Sequence, residues 1–403
     1  MTSQAAPVVT TPSLPDDPFS TEILTDPYEF HQRLREAGPV VRLAHYDLYA
    51  MGRFDEVHAS LRDWETFISG RGAGLADFAR ETPWRPPSLL LEADPPNHTV
   101  TRNVMNGIVS PRAVRALREG FSVLAEEIAE RMVERGEFDA VADLAEVYPL
   151  QVFPDAVGLP ATGRENLLPY GALAFNAFGP DNELRRAALA GAAAVQEWIA
   201  ASCQREALAP GGFGAQIWAA ADRGDLLPEQ APLLVRSLLS AGVDTTVYGI
   251  ANTLYSLASN PDQWDVLHAD PKLARFAFDE ALRWESPVQT FFRTTSREVD
   301  VAGTVIPEGS KVLLFLGSAN RDPRHWGEDA NRLDIRRKAS GHVAFGMGVH
   351  QCVGQPLARL EVELVLTALA RRARRIELTG TPVPKLNNTL KGWSSVPVRV
   401  EAA

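Results

Sequence analysis

The chain has 403 residues, 45% of them hydrophobic and 23% charged, which is enough apolar sequence for a core that encloses a cofactor. A net charge of −11 argues against nucleic acid as a general partner. With only two cysteines, Cys203 and Cys352, no disulfide framework is indicated and a reducing, cytoplasmic setting fits.

Met1 to Ser20 is polar and proline-rich, without the apolar stretch of a signal peptide, and is read as a flexible segment ahead of a single domain spanning 21–403. Asp26 to Ala37 has a helical pattern, and Val40 to Arg53 alternates as a hairpin does. A proline-stiffened loop follows, Trp84-Arg85-Pro86-Pro87-Ser88, whose Arg85 and Ser88 are candidate donors. In Asp94-Pro95-Pro96-Asn97-His98-Thr99-Val100-Thr101-Arg102, His98 and Arg102 stand at i and i+4 and share a helix face. Helical periodicity then dominates over Ser110–Arg135, Arg164–Ala177, Asn182–Ala207, Pro228–Ser259, Pro271–Trp284 and Gln355–Arg375. A strand-rich patch runs from Ser296 to Leu316, turning at Pro307-Glu308-Gly309. These elements predict a mainly α protein with a small β-rich region. The most apolar run, Leu233 to Val247, is interrupted by Arg236 and Asp244 and is too short to span a bilayer.

Three stretches go against the local pattern. Ala241-Gly242-Val243-Asp244-Thr245 puts glycine, acid and hydroxyl inside an apolar helix, where each is disfavoured. A polar kink, with Thr245 bonding back to a carbonyl, is the plain explanation. Ser237, Ala241 and Thr245 would share one face of that helix. Ser240 and Ser237 precede Thr245 by roughly 7.5 and 12 Å of helix axis. Glu280 and Arg283 pair at i and i+3 among apolar neighbours, which makes a buried ion pair plausible. Finally Phe345-Gly346-Met347-Gly348-Val349-His350-Gln351-Cys352-Val353-Gly354 holds a lone cysteine in a glycine-rich loop before an amphipathic helix. It lacks the third glycine of a dinucleotide fingerprint and the second cysteine of a zinc site. An inert buried thiol, a nucleophile with His350 as base, and a thiolate bound to iron stay open on composition.

That last loop resembles the haem-binding loop of cytochromes P450, with His350 where many relatives carry arginine. The resemblance implies the P450 fold around haem b, with Cys352 as axial thiolate ligand and Phe345, Gly346 and Gly354 shaping the loop. It assigns the haem propionates to His98, Arg102, Arg293 and His350. Glu280 and Arg283 match the family's Glu-x-x-Arg pair, with Arg332 as its partner arginine, although Leu333 departs from the aromatic residue usual at that point. Gly242-Val243-Asp244-Thr245 matches the oxygen-activating motif, in which Gly242 would open the helix for dioxygen, Thr245 aids activation and Asp244 relays protons. The implied activity is a monooxygenase using O2 and two electrons. The chain shows no flavin or iron–sulfur domain, so a separate iron–sulfur ferredoxin and an NAD(P)H-dependent ferredoxin reductase are the expected donors.

The substrate end resembles bacterial P450s that hydroxylate or demethylate para-substituted benzoic acids such as 4-methoxybenzoate. Arg85, Ser88, Arg236, Ser237 and Ser240 would hold the carboxylate, and Leu91, Phe175, Phe178, Ala241, Val288 and Phe291 would form the walls. A P450 acting on a larger neutral substrate is one rival. A haem-thiolate sensor without turnover is another, and the Asp244-Thr245 pair argues against it.

Overall fold

A computed structural model describes residues 11–403. With 51% of its residues helical and only small sheets, the protein bears out the mainly α expectation. The longest helix, Pro111–Arg135, begins where Ser110 Oγ accepts the Ala113 N–H, with proline at its first position. It stops at Gly136, which takes φ +75°. Its buried stripe (Val114, Phe121, Ala125, Ile128, Met132) packs against the helix Gln355–Arg372, which buries Leu357, Leu360, Leu364, Val365 and Leu369. Asp244–Ala258 packs against that helix and against Ala274–Glu285, and its Val247, Ile250, Ala251, Leu254 and Leu257 are all buried.

The expected hairpin is present as Val41–Leu43 antiparallel to Leu48–Met51. It joins a sheet whose spatial order is Ser13–Leu14, Val41–Leu43, Leu48–Met51, Lys311–Phe315, Thr290–Thr295 and Phe67–Ile68. Ser13–Leu14 pairs in parallel with Val41–Leu43, so the described part of the segment expected to be flexible contributes an edge strand. The rest of that segment, 1–10, lies outside the described residues. The Pro307–Gly309 turn connects Thr304–Ile306 to Lys311–Phe315, as expected.

Other boundaries moved. The run Asn182–Ala207 is divided into Glu183–Leu189, Ala192–Ser202 and a short 3-10 turn, because Gly191 takes φ +88° between the first two. The run Pro228–Ser259 is divided into Gln230–Ala241 and Asp244–Ala258. The last helix ends at Arg372, and Ala373–Leu378 is a strand paired with Pro397–Ala402. Thr290–Thr295 is an inner strand, paired on both sides, that lies wholly before the strand-rich patch read from the sequence. Its threonines and Arg293 are buried, so polarity conceals it.

Candidate functional site

An internal cavity lies between Gln230–Ala241 and Asp244–Ala258 on one side and the Cys352 loop on the other. The loop is held by the Cys352 N–H, which donates to Phe345 O at 2.8 Å. Gly346 and Gly348 both take positive φ, at 67° and 69°. A Cβ on Gly348 would stand 2.8 Å from Leu61 O, so no other residue fits there without moving that backbone. Cys352 lies deep in the protein, yet its side chain is open to the cavity. Burial raises its thiol above the ordinary range; the Gly354 N–H, Arg102, the Gln355 N–H and Arg359 act the other way. A thiol so placed is converted to thiolate most readily by a bound cation that takes up its charge.

Beside the loop, donors outnumber acceptors. His98 and His350 have ring centroids 4.5 Å apart, and the Nε2 of each is buried without a partner. His350 Nδ1 meets Leu90 O at 3.1 Å, whereas Asp94 stands 3.8 Å from its Nε2, too far for a hydrogen bond. Arg293 is buried and donates to the Phe292 carbonyl. Burial lowers it to about 10, with Asp94 opposing. Burial, then His350 and Arg102, lower His98 to about 4. Two unpartnered ring nitrogens beside the Arg293 and Arg102 guanidinium groups leave room for buried anions. Haem, with two propionates and a metal for Cys352, fits this donor set; Cys352 would hold the iron, and His98, Arg102, Arg293 and His350 would hold the propionates. Phe345, Gly346 and Gly354 line the same cavity.

The ion pair expected at Glu280 and Arg283 is fully buried, with contacts of 2.8 Å through both Nε and Nη2 of Arg283. Its partner arginine is Arg337, whose Nε reaches Glu280 Oε1 at 3.2 Å. Arg332 is corrected: its side chain is exposed, and only its carbonyl takes part, accepting from Arg283 at 3.1 Å. The chain turns back between Asp334 and Arg337, and a match on sequence position could not show which arginine that turn carries inward. The Asp334 N–H also donates to Glu280 Oε1, at 3.0 Å.

Across the cavity, the helix stops at Ala241 and resumes at Asp244. Gly242 is there for space: a Cβ would lie 2.1 Å from the Phe153 ring. Thr245 Oγ1 donates back to Ala241 O at 2.7 Å and lines the cavity. Asp244 lies behind that wall, beside Gly171, with both carboxyl oxygens buried and unpartnered. Burial pushes it up to about 7; Lys385 lowers it and Glu146 raises it by smaller amounts. An acid with that affinity can hold or release a proton near neutrality.

Some of the residues read from the sequence as substrate contacts come together in the cavity and others do not. Ser88 Oγ and Ser237 Oγ meet at 3.3 Å, bringing together residues from a loop and a helix. Ser240 Oγ donates to Ser237 O at 3.3 Å, and Arg85, Ser88, Ser237, Ser240, Ala241 and Thr245 all line the cavity. Phe178 makes edge-to-face contacts with Phe175 and Phe291 at 5.9 and 5.7 Å, and Leu91 and Val288 pack on them. Arg236 does not line the cavity; its Nη2 donates to Pro86 O at 2.7 Å and ties the Arg85 loop to the helix. Sequence reading missed Glu92, a buried acid whose Oε2 accepts the Ser88 N–H at 2.7 Å and lies 3.6 Å from Arg85 Nη2. A glutamate four residues after Ser88 in a stretch of leucines was the available signal. Phe213 and Leu238 also reach the cavity, from helices whose faces only the packing reveals.

Residues 220–399 match the family model described as Cytochrome P450. The chain is 58% identical over 393 residues to cytochrome P450 CYP199A2 of Rhodopseudomonas palustris, covering 97% of this chain and 95% of that protein. It is 31% identical to the cytochrome P450 monooxygenase PikC of Streptomyces venezuelae, covering 94% and 92%. Among solved structures, cytochrome P450 CREJ in complex with (4-ethylphenyl) dihydrogen phosphate matches with a TM-score of 0.86 at 26% identity, covering 96% and 99% of the two chains. CYP109Q5 from Chondromyces apiculatus matches with a TM-score of 0.80 at 29% identity, covering 97% and 99%. With identity of that order along nearly its whole length, the chain belongs to the cytochrome P450 family, monooxygenases that bind haem b through a cysteine thiolate.

Proposed function

We propose that this monooxygenase hydroxylates or oxidatively demethylates a small para-substituted aromatic carboxylic acid, of which 4-methoxybenzoate is a representative. The observation that supports the reading is the mixed lining of one cavity, which is faced by the Ser88–Ser237 pair and Arg85, by Phe175, Phe178 and Phe291, and by Thr245 and Cys352. A P450 of similar fold was solved with (4-ethylphenyl) dihydrogen phosphate, a ligand with a para-substituted ring, which supports the size and ring substitution proposed here.

Haem bound at Cys352 supplies the oxidant, made from O2 and two electrons. The protein's own residues do the rest. Ser88, Ser237, Ser240 and Arg85 fix the carboxylate, so the para substituent points along the helix toward Thr245. The aromatic walls exclude water and hold the ring by edge contacts. The Thr245 hydroxyl, now bonded to a carbonyl one turn back, supplies a hydrogen bond in the cavity when it turns. Asp244 holds the proton that Thr245 passes inward. For a methoxy group, one O2, two electrons and two protons give water and a hydroxymethyl ether, a hemiacetal that breaks down to the phenol and formaldehyde. The electrons come from a separate ferredoxin, itself reduced by an NAD(P)H-dependent reductase.

A titration of the ferric haem protein with para-substituted benzoates and matched neutral amides, read by the spin-state shift, tests the reading. Benzoates should bind tighter. A hydrogen bond to a charged group contributes about 1.5–3 kcal/mol, so Arg85→Ala should weaken benzoate binding by roughly one to two orders of magnitude and barely change the amide. Tight binding of neutral ligands with no response to benzoates would overturn it.

A further inference from the structure

We propose that Glu92 sets the charge of the carboxylate end of the cavity, so that the site takes monoanionic aryl ligands and rejects dianions such as aryl phosphates. This rests on the aromatic-acid reading above and names the residue that makes it selective. Arg85 and Glu92 form an ion pair in which the side chains are only 10% and 5% exposed. At 3.6 Å it is too long for a hydrogen bond, so Glu92 offsets the charge of Arg85 without occupying its donors. Arg85 Nε is buried without a partner, as is the Nε of Arg236. Glu92 cannot swing away freely, because its Oε2 also accepts the Ser88 N–H.

The charges around this end can be counted, including Arg236, which stands behind the lining within the field of Arg85 and Glu92. Arg85 and Arg236 are cationic and Glu92 is anionic. Tyr170 and Cys203, whose fields reach Arg236, remain neutral: burial raises Tyr170, and it pushes Cys203 up to about 12. Two guanidinium groups and one carboxylate leave one positive charge. A benzoate neutralises it. An aryl phosphate dianion would leave an uncompensated negative charge in a buried site, which is strongly unfavourable. The same positive charge accounts for a preference against neutral ligands, so one carboxylate tunes the site from both sides.

The test uses the ferric haem protein and a matched set of ligands: 4-ethylbenzoate, 4-ethylphenyl phosphate and 4-ethylbenzamide. Dissociation constants are read from the spin-state shift at pH 8, well above the second phosphate pKa of about 6. The unmodified protein should bind the benzoate tightest. Glu92→Gln keeps an oxygen for the Ser88 N–H while removing the charge. It should improve phosphate binding relative to benzoate by about tenfold or more and leave the amide unchanged. Glu92→Asp, which keeps the charge, should retain the wild-type ratio. A second measurement needs no variant: as pH falls through about 6, the phosphate becomes a monoanion and its affinity for the unmodified protein should rise, while that of the benzoate stays level.

A benzoate response with a ligand ratio indifferent to both Glu92→Gln and pH would overturn the charge filter alone. Equal loss of all three ligands in Glu92→Gln, or the same ratio change in Glu92→Asp, would assign Glu92 to loop order and overturn it as well. No benzoate response in the unmodified protein would overturn the aromatic-acid reading and this proposal with it.

Discussion

At the scale of single residues, Asp244 has the most direct consequences. Its carboxyl titrates near 3.8 when unfolded and about 7 when folded, because burial disfavours its charge. Between those values the folded state holds a proton that the unfolded chain has released, so stability falls as pH rises through that window. Asp244→Asn removes the effect. Its stability gain over the unmodified protein should be larger at pH 8 than at pH 5.5, by roughly 2 kcal/mol, read from denaturant midpoints at the two values. A gain independent of pH would show that the carboxyl titrates normally. Thr245 is a different case. Its hydroxyl is satisfied within the helix by Ala241 O, so Thr245→Ala should leave haem and benzoate binding intact. Without its hydrogen bond in the cavity, reducing equivalents should leave as hydrogen peroxide, and product formed per NADH consumed should drop severalfold. Unchanged coupling would remove Thr245 from the proposed proton path.

At the scale of elements, the informative case is the buried ion pair on Ala274–Glu285. Arg283 also donates to the carbonyls of Asn320 and Ala330, at 2.9 and 2.7 Å, so the pair staples the helix to the chain that leads into the cysteine loop. Arg337 completes it and Arg332 does not. Arg337→Ala should therefore cost about 2–3 kcal/mol, as expected for losing a hydrogen bond to a buried charge, with weaker haem retention on heating. Arg332→Ala retains the only atom that takes part, its carbonyl oxygen, and should stay within about 0.5 kcal/mol of the unmodified protein. Comparable losses from the two, in thermal melts followed at the Soret band, would overturn this assignment. Glycines decide other boundaries. Gly191 divides one helical run by its positive φ, and Gly242 marks the break in another by admitting the Phe153 ring.

For the whole molecule, docking of the proposed ferredoxin depends on charge that folding leaves free. Of the basic residues that flank the cysteine loop in sequence, Arg337 is committed to Glu280 and Asp329, and Arg359 to Asp279 and Gln355. Arg332, Arg336 and Lys338 remain exposed. A chain of net charge −11 needs such a local patch to attract an acidic partner. Turnover supported by a ferredoxin should slow as ionic strength rises, and Arg336→Glu combined with Lys338→Glu should reduce both the rate and its salt dependence. A rate indifferent to salt would argue against electrostatic docking at this face.

Much of this was legible in the sequence, for a physical reason. The cysteine loop, the Asp244-Thr245 break and the Glu280-Arg283 pair are local: glycines crowd the first, residues disfavoured in a helix interrupt the second, and opposite charges share a helix face in the third, so each announces itself within a few positions. The long helices and the Val41–Met51 hairpin follow from periodicity and turn chemistry. What remained hidden depended on contacts between distant segments. Arg337 rather than Arg332 faces Glu280 because of how one turn folds back. Ser88 meets Ser237 across 149 positions. Glu92 offsets Arg85 in a site that exists only once the loop is tied to the helix by Arg236. Local sequence fixes what each segment can become, but charge balance and burial belong to the assembled packing, and only the tertiary structure decided them.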